Sequence, residues 1–168
     1  GVEGVFFSGA PVKENLAPAR PPGGGAEGVL GGGYRFASYG PEGGQRVSLL
    51  GSGAILTEVV KAAEQLAAQG IAADVYSITS WSELARDGAA SQSPHLTALL
   101  QGTGPVIAAT DYVRAVAESV RAYVPEGRRY VTLGTDGFGR SDTRAALRQF
   151  FGVDAAAVVR AARAALQA

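Results

Sequence analysis

The 168-residue chain contains no cysteine and only one histidine, His95. Without cysteine there is no disulfide, no thiolate zinc site and no cysteine nucleophile. A single imidazole also excludes a histidine metal cluster. Excess charge of either sign is absent too: fifteen basic and fifteen acidic residues give a formal net charge of +0. Nucleic acid and anionic membranes want a basic face, so neither is the expected main partner. No apolar run approaches the ~18 residues needed to span a bilayer. The first thirty residues lack the charged start and apolar run of a signal peptide. A cytoplasmic location is the default expectation. The first residue is Gly rather than Met, which fits a processed chain or one piece of a longer product.

What is present suits one folded unit. The apolar content is 46%, ordinary for a globular protein of a size that buries one core. Lys13 and Lys61 are the only lysines, so Arg supplies most of the fifteen cations and favours defined ion pairs and interfaces. The chain divides into an irregular head and a regular body, at residues 1–45 and 46–168. The head holds more than half of the 24 glycines and most of the eight prolines. In it, Val5, Phe6 and Phe7 form a short candidate strand, and Tyr34 to Ala37 a second. Pro11 to Gly33 reads as an extended strap, which suits a segment running over a partner.

The body alternates strands and helices. Val47–Leu50 is a short apolar strand, and Gly51, Ser52 and Gly53 turn into a helix. Leu56, Val59, Val60, Ala63, Leu66 and Ala67 share one face of that helix by their spacing. Gly70 stops it. Asp74–Ile78 is the next strand, and Ser80 with Glu83 fits a capping box opening a short helix. Val106–Ala109 reads as a strand covered on both faces. Asp111 is expected to cap a helix with Val113, Val116, Ala117, Val120 and Val124 on its buried face. Tyr130–Leu133 is a further strand. Two helices follow, the first ended by Gly152 and the second capped by Asp154, with Val158, Ala162, Ala165 and Leu166 as its buried stripe. This alternation predicts an α/β fold: three layers, α/β/α, around about five mostly parallel strands.

Four blocks carry a resemblance. They are L-L-G-S-G-A-I-L at Leu49–Leu56, D-V-Y-S-I-T-S-W-S-E-L-A-R-D-G at Asp74–Gly88, A-T-D-Y at Ala109–Tyr112 and L-G-T-D-G-F-G-R-S-D-T-R at Leu133–Arg144. Together and in this order they resemble the carboxy-terminal, transketolase-like domain of the homodimeric pyruvate dehydrogenase E1 component. The resemblance implies an enzyme that uses thiamine diphosphate and magnesium to decarboxylate a 2-oxo acid and pass a two-carbon unit to a lipoyl group. It also implies that partner chains carrying the pyrophosphate- and pyrimidine-binding domains hold both cofactors. On this reading the chain itself has no catalytic, cofactor-binding or metal residue, and its role is structural.

The head departs from the family pattern. Glu14-Asn15-Leu16-Ala17-Pro18 is an eroded form of a family segment, and Phe6–Ala10 stands where the family has a Tyr- and Thr-rich strand of the preceding domain. The connection from Asp87 to Pro105 is shorter than the family's, and the family extends beyond Ala168. These features suggest a separately encoded subunit of a split enzyme, with Val5, Phe6 and Phe7 pairing with a partner's sheet by β-augmentation.

Seven body residues are candidate interface or anion contacts: Gly51, Ser52, Gly53, Asp136, Arg140, Asp142 and Arg144. The Gly51–Gly53 turn can bind an anion on helix N–H groups, or simply bring helix and strand close. The charged four can form a local ion-pair network, with Ser141 or Asp142 capping the next helix, or face a partner. His95 is read as a solvated loop residue and Trp81 as a core or interface anchor. Two further functions compete with the structural role. One is a docking module for a lipoyl or acyl carrier protein through Arg140, Arg144 and Arg148. The other is a stand-alone binder of anionic small molecules at the Gly51–Gly53 turn.

Overall fold

The computed structural model describes residues 25–167. The proposed pairing strand at Val5, Phe6 and Phe7 and most of the strap lie outside the described residues. The fold begins with a short helix α1 (Ala26–Leu30) and strand β1 (Gly33–Tyr39). Then come β2 (Arg46–Ser52), a 3-10 turn at Gly53–Ile55, α2 (Leu56–Ala68), β3 (Ala72–Ile78), α3 (Trp81–Ala90), α4 (His95–Leu99) and β4 (Val106–Ala109). The chain continues through α5 (Arg114–Glu118), a 3-10 turn at Arg121–Tyr123, β5 (Tyr130–Leu133), α6 (Arg144–Phe151) and α7 (Ala155–Gln167).

The sheet has five strands in the order β1-β3-β2-β4-β5. β3, β2, β4 and β5 are parallel and β1 is an antiparallel edge. The parallel strands are buried on both faces, as their continuous apolar runs require. Leu49, Val59, Leu66, Val75, Ile107, Val158 and Ala162 form the core under α2 and α7. Leu50, Tyr76, Trp81, Leu84, Leu96, Ala108 and Val120 form the core on the opposite face, under α3 to α5. The three-layer expectation and the strand count are met.

The sheet reaches further back than residue 45. β1 pairs with β3 from Gly33↔Ile78 to Tyr39↔Ala73, so the end of the head is a sheet strand, and α1 lies within the stretch read as irregular strap. Asp74 explains how this edge is held. From β3 it accepts Arg35 Nη2 and Ser38 Oγ of β1, each at 2.6 Å, and Arg46 Nη1 of β2 at 2.9 Å. Burial alone would raise its pKa, but the hydrogen bonds from Ser38 and Arg35 and the two guanidinium charges outweigh it. The carboxyl therefore sits below the usual range. A lowered folded pKa stabilises the fold above the unfolded value and is lost as pH falls through the folded one. Asp74→Asn is expected to cost about 2 kcal/mol at pH 7, because it keeps the Oδ1 acceptor that all three donors share but removes the charge that faces two guanidiniums. The variant's stability should also fall less steeply with acid than that of the parent. Urea unfolding at pH 7 and pH 4 checks both statements.

Several local signals act as their chemistry predicts. Ser80 Oγ accepts the Glu83 N–H at 3.1 Å. Gly152 adopts φ 67° at the end of α6, and Asp154 Oδ1 accepts the Ala157 N–H at 2.9 Å to open α7. Others differ. Asp111 does not cap a helix, α5 is only five residues long, and Val113 is exposed. His95 is not a free loop side chain: it opens α4, and its Nε2 lies 2.8 Å from the Gly33 carbonyl at the start of β1. Trp81 is a core residue, 4% exposed.

Candidate functional site

In an open parallel sheet the natural ligand crevice lies at the carboxyl ends of adjacent strands whose connections leave in opposite directions. Here those strands are β2 and β4. From β2 the chain crosses through α2 to β3 on one side, and from β4 it goes on to β5 on the other. At their ends Ser52 Oγ donates to Thr110 Oγ1 at 2.9 Å, both residues being buried. Gly51 has no room for a side chain, since a Cβ there would lie 2.9 Å from Leu56 Cα. These two residues thus bring α2 close to the sheet. Gly53 is exposed, with φ 53°, and points toward Asp111, whose carboxylate oxygens would lie 3.8 Å from a Cβ at this position.

A cleft of about 520 Å³ opens above this crossover. Ala54, Ile55 and Asp111 line one side, and Gly137, Gly139, Arg140, Arg144, Leu147 and Arg148 the other. It joins Ala54 and Ile55, just after the Gly51–Gly53 turn, to the glycine-rich loop after β5, two features far apart in sequence.

That loop is fixed by contacts that its own sequence does not reveal. Asp136 accepts the Arg114 backbone N–H at 2.9 Å and Arg114 Nε at 2.5 Å. Those hydrogen bonds and the Arg114 charge hold its carboxyl below the usual range. The Thr135 N–H donates to the Tyr112 carbonyl at 2.9 Å and its hydroxyl to the Asp111 carbonyl at 2.6 Å. The expected ion-pair network among Asp136, Arg140, Asp142 and Arg144 does not form among the described residues. Asp136 pairs instead with Arg114. Asp142 Oδ1 accepts the Thr143 N–H at 2.7 Å, and Thr143, not Ser141 or Asp142, caps α6. Arg140 lies over the Phe150 ring, 4.0 Å from its centroid. Arg144 takes part in no ion pair of the described residues.

Sequence reasoning missed Arg114 and Glu58, and gave Arg148 only to the carrier-docking patch. Glu58 is a buried carboxylate on α2 that accepts Arg148 Nη1 at 3.0 Å and the Ala155 N–H at 3.1 Å. It therefore ties α6 and α7 to the helix beneath the cleft. Its partner lies 90 residues away, and nothing in the local pattern marks it.

Residues 32–154 match the family pattern of the transketolase-like TK C-terminal domain. The chain belongs to that family. It is 44% identical to the pyruvate dehydrogenase E1 component of Pseudomonas aeruginosa over 176 residues, which cover 96% of this chain and 20% of that protein. With the Escherichia coli K12 pyruvate dehydrogenase E1 component it shares 43% identity over 95% of this chain and 19% of that protein. The domain thus spans about a fifth of the length of these relatives. Among solved structures it is similar to transketolase from Leishmania mexicana, with a TM-score of 0.63 and 25% identity over 84% of this chain and 19% of that one. It is also similar to a split-gene transketolase solved as an inactive beta4 tetramer, with a TM-score of 0.55 and 25% identity over 82% of this chain and 43% of that one.

Proposed function

We propose that this domain is the carboxy-terminal assembly unit of an E1-type, thiamine diphosphate-dependent enzyme that transfers a two-carbon unit, and that it acts by docking to the domains that hold the cofactor. The observation that carries this reading is the rim of the cleft. Six large hydrophobics are exposed among the described residues, and four of them, Tyr112, Val113, Phe138 and Phe150, stand on the loops and helix beside the carboxyl ends of β4 and β5. Phe138 is 97% exposed. It stands in a loop pinned at its start by Asp136 and Thr135, so the structure holds an aromatic ring out into solvent rather than letting it collapse. An exposed cluster of this kind suits a protein partner, and central aromatic anchors carry most of such a contact.

The chain's own chemistry fits a supporting role. Among the described residues, no three His, Asp or Glu side chains are grouped to hold a metal ion. We assign cofactor binding to partner chains carrying the pyrophosphate- and pyrimidine-binding domains. The similarity to a split-gene transketolase supports delivery on a separate chain, and no helix among the described residues is long and apolar enough to cross a membrane. The carrier-docking alternative has less support. Of its three arginines, Arg148 is 23% exposed and bound to Glu58, which leaves only Arg140 and Arg144 for such a patch.

The test is reconstitution. Mixed with chains carrying the cofactor domains, thiamine diphosphate and magnesium, the domain should form a complex by native mass spectrometry and restore 2-oxo acid decarboxylation. Phe138→Ser is expected to weaken that complex at least about tenfold while leaving the thermal unfolding of the isolated domain unchanged. A complex equally tight with the variant, or a domain that joins no such partner, overturns the reading.

A further inference from the structure

We propose that the cleft above the β2/β4 crossover is a binding site for a small organic phosphate. The arginines around it are unequally engaged. Arg140 and Arg144 line it beside one lining acidic residue, Asp111, while Arg148, also in the lining, is paired with Glu58. Of the other acids nearby, Asp136 is paired with Arg114 and Glu58 with Lys61 and Arg148, and the Asp142 carboxylate accepts the Thr143 N–H. Arg144 has no acidic partner among the described residues, and Arg140 is held by the face of Phe150. Stacking on a ring uses the plane of a guanidinium and leaves its N–H edge free, and that edge matches the oxygens of a phosphoryl group. Two guanidiniums four residues apart, Arg140 in the loop and Arg144 at the start of α6, suit a dianion better than a single carboxylate.

The rest of the lining argues for an organic body. Ile55 and Val153 are buried, and Leu147 and Phe151 are half-buried, so an apolar wall stands beside the arginines. A phosphoryl group alone would leave that wall in water. The volume of about 520 Å³ lies within the range of small-molecule pockets. Two ion pairs tie the walls to the rest of the fold: Arg114–Asp136 at the start of the loop, and Arg148–Glu58 between α6 and α2. The sequence left the Gly51–Gly53 turn as either an anion contact or a tight strand-to-helix turn. The structure moves the recognition to the arginines opposite, because Ser52 is turned inward to Thr110.

Titration calorimetry on the whole chain, without partner chains, tests the site using inorganic phosphate and phenyl phosphate as probes. Saturable binding of phenyl phosphate is expected below about 1 mM, several times tighter than inorganic phosphate. The R140Q/R144Q variant should lose at least about tenfold in affinity. The single variant R144Q removes no side-chain hydrogen bond or ion pair among the described residues, so it should lose affinity with an unchanged Tm, which separates a binding effect from unfolding. R160Q/R163Q removes the same charge from exposed positions on α7 and should bind like the parent. Absence of saturation at about 10 mM, equal affinities for the two probes, or an equal loss in R160Q/R163Q overturns the site. The assay contains no partner, so its failure leaves the docking reading untouched, and failed assembly leaves this one untouched.

Discussion

Gly104→Ala is expected to be the most damaging single methyl addition in this domain, lowering stability by about 3 kcal/mol or preventing folding. A Cβ at Gly104 would sit 1.8 Å from the Arg46 carbonyl oxygen, which is main chain and cannot rotate away. The strain is steric and involves no left-handed backbone. Gly104 leads into β4 beside the start of β2, where the Ser48 N–H donates to the Pro105 carbonyl at 2.9 Å. Its own carbonyl accepts Arg128 Nε at 2.6 Å, and Arg128 also reaches Ser48 Oγ at 2.9 Å. Relief of the clash means moving the β4 entry off β2, which breaks those contacts and loosens the two central strands together. Thermal unfolding should show a fall in Tm of roughly 10 °C. Gly139→Ala is the control. No atom lies within 4 Å of a Cβ there, so its Tm should match the parent. A Gly104→Ala variant as stable as Gly139→Ala would show that the strand entry is not packed as described.

The parts of the fold that could be read in the sequence are those set by local pattern. β2, β3 and β4 are apolar runs because both faces are covered, and α2 shows its stripe at helical spacing. Ser80, Gly152 and Asp154 mark helix ends through contacts made within a few residues. What the sequence hid depends on distant partners. β1 alternates aromatic and polar residues over only part of its length, and Asp74, more than thirty residues further on, holds the remainder. The apolar positions after Asp111 look like one helix face, yet Arg114 is drawn to Asp136, 22 residues away. The helix therefore starts late, and Val113 is left outside. The candidate site was half legible for the same reason. Glycine and arginine density picked out the loop after β5 and the turn after β2. Only the β2/β4 crossover brings them to one cleft, and only the 90-residue link from Glu58 to Arg148 sets α6 as its wall.

That link carries the second large expectation. Glu58→Ala should cost about 3 kcal/mol, more than loss of an exposed ion pair, because it leaves a half-buried Arg148 and the buried Ala155 N–H without their acceptor. Lys61, 59% exposed, regains water and adds little. Burial works to raise the pKa of Glu58, but the hydrogen bonds from Lys61 and Ala155 and the charges of Lys61 and Arg148 outweigh it, so the carboxyl lies below its ordinary value. Its stabilisation is therefore complete above the unfolded carboxylate pKa and disappears as pH falls through the folded one. Glu58→Gln keeps an acceptor but no charge, so it should fall between Glu58→Ala and the parent at pH 7 and lose less stability on acidification. Urea unfolding from pH 7 to pH 3 for the three proteins reads both effects. In the double variant Glu58→Ala with Arg148→Ala, removal of the stranded guanidinium should restore part of the loss, leaving the unsatisfied Ala155 N–H as the remainder. If the two single losses simply add, Arg148 is held by solvent rather than by Glu58, and α6 owes its position to the apolar contacts of Leu147, Phe151 and Val153 alone.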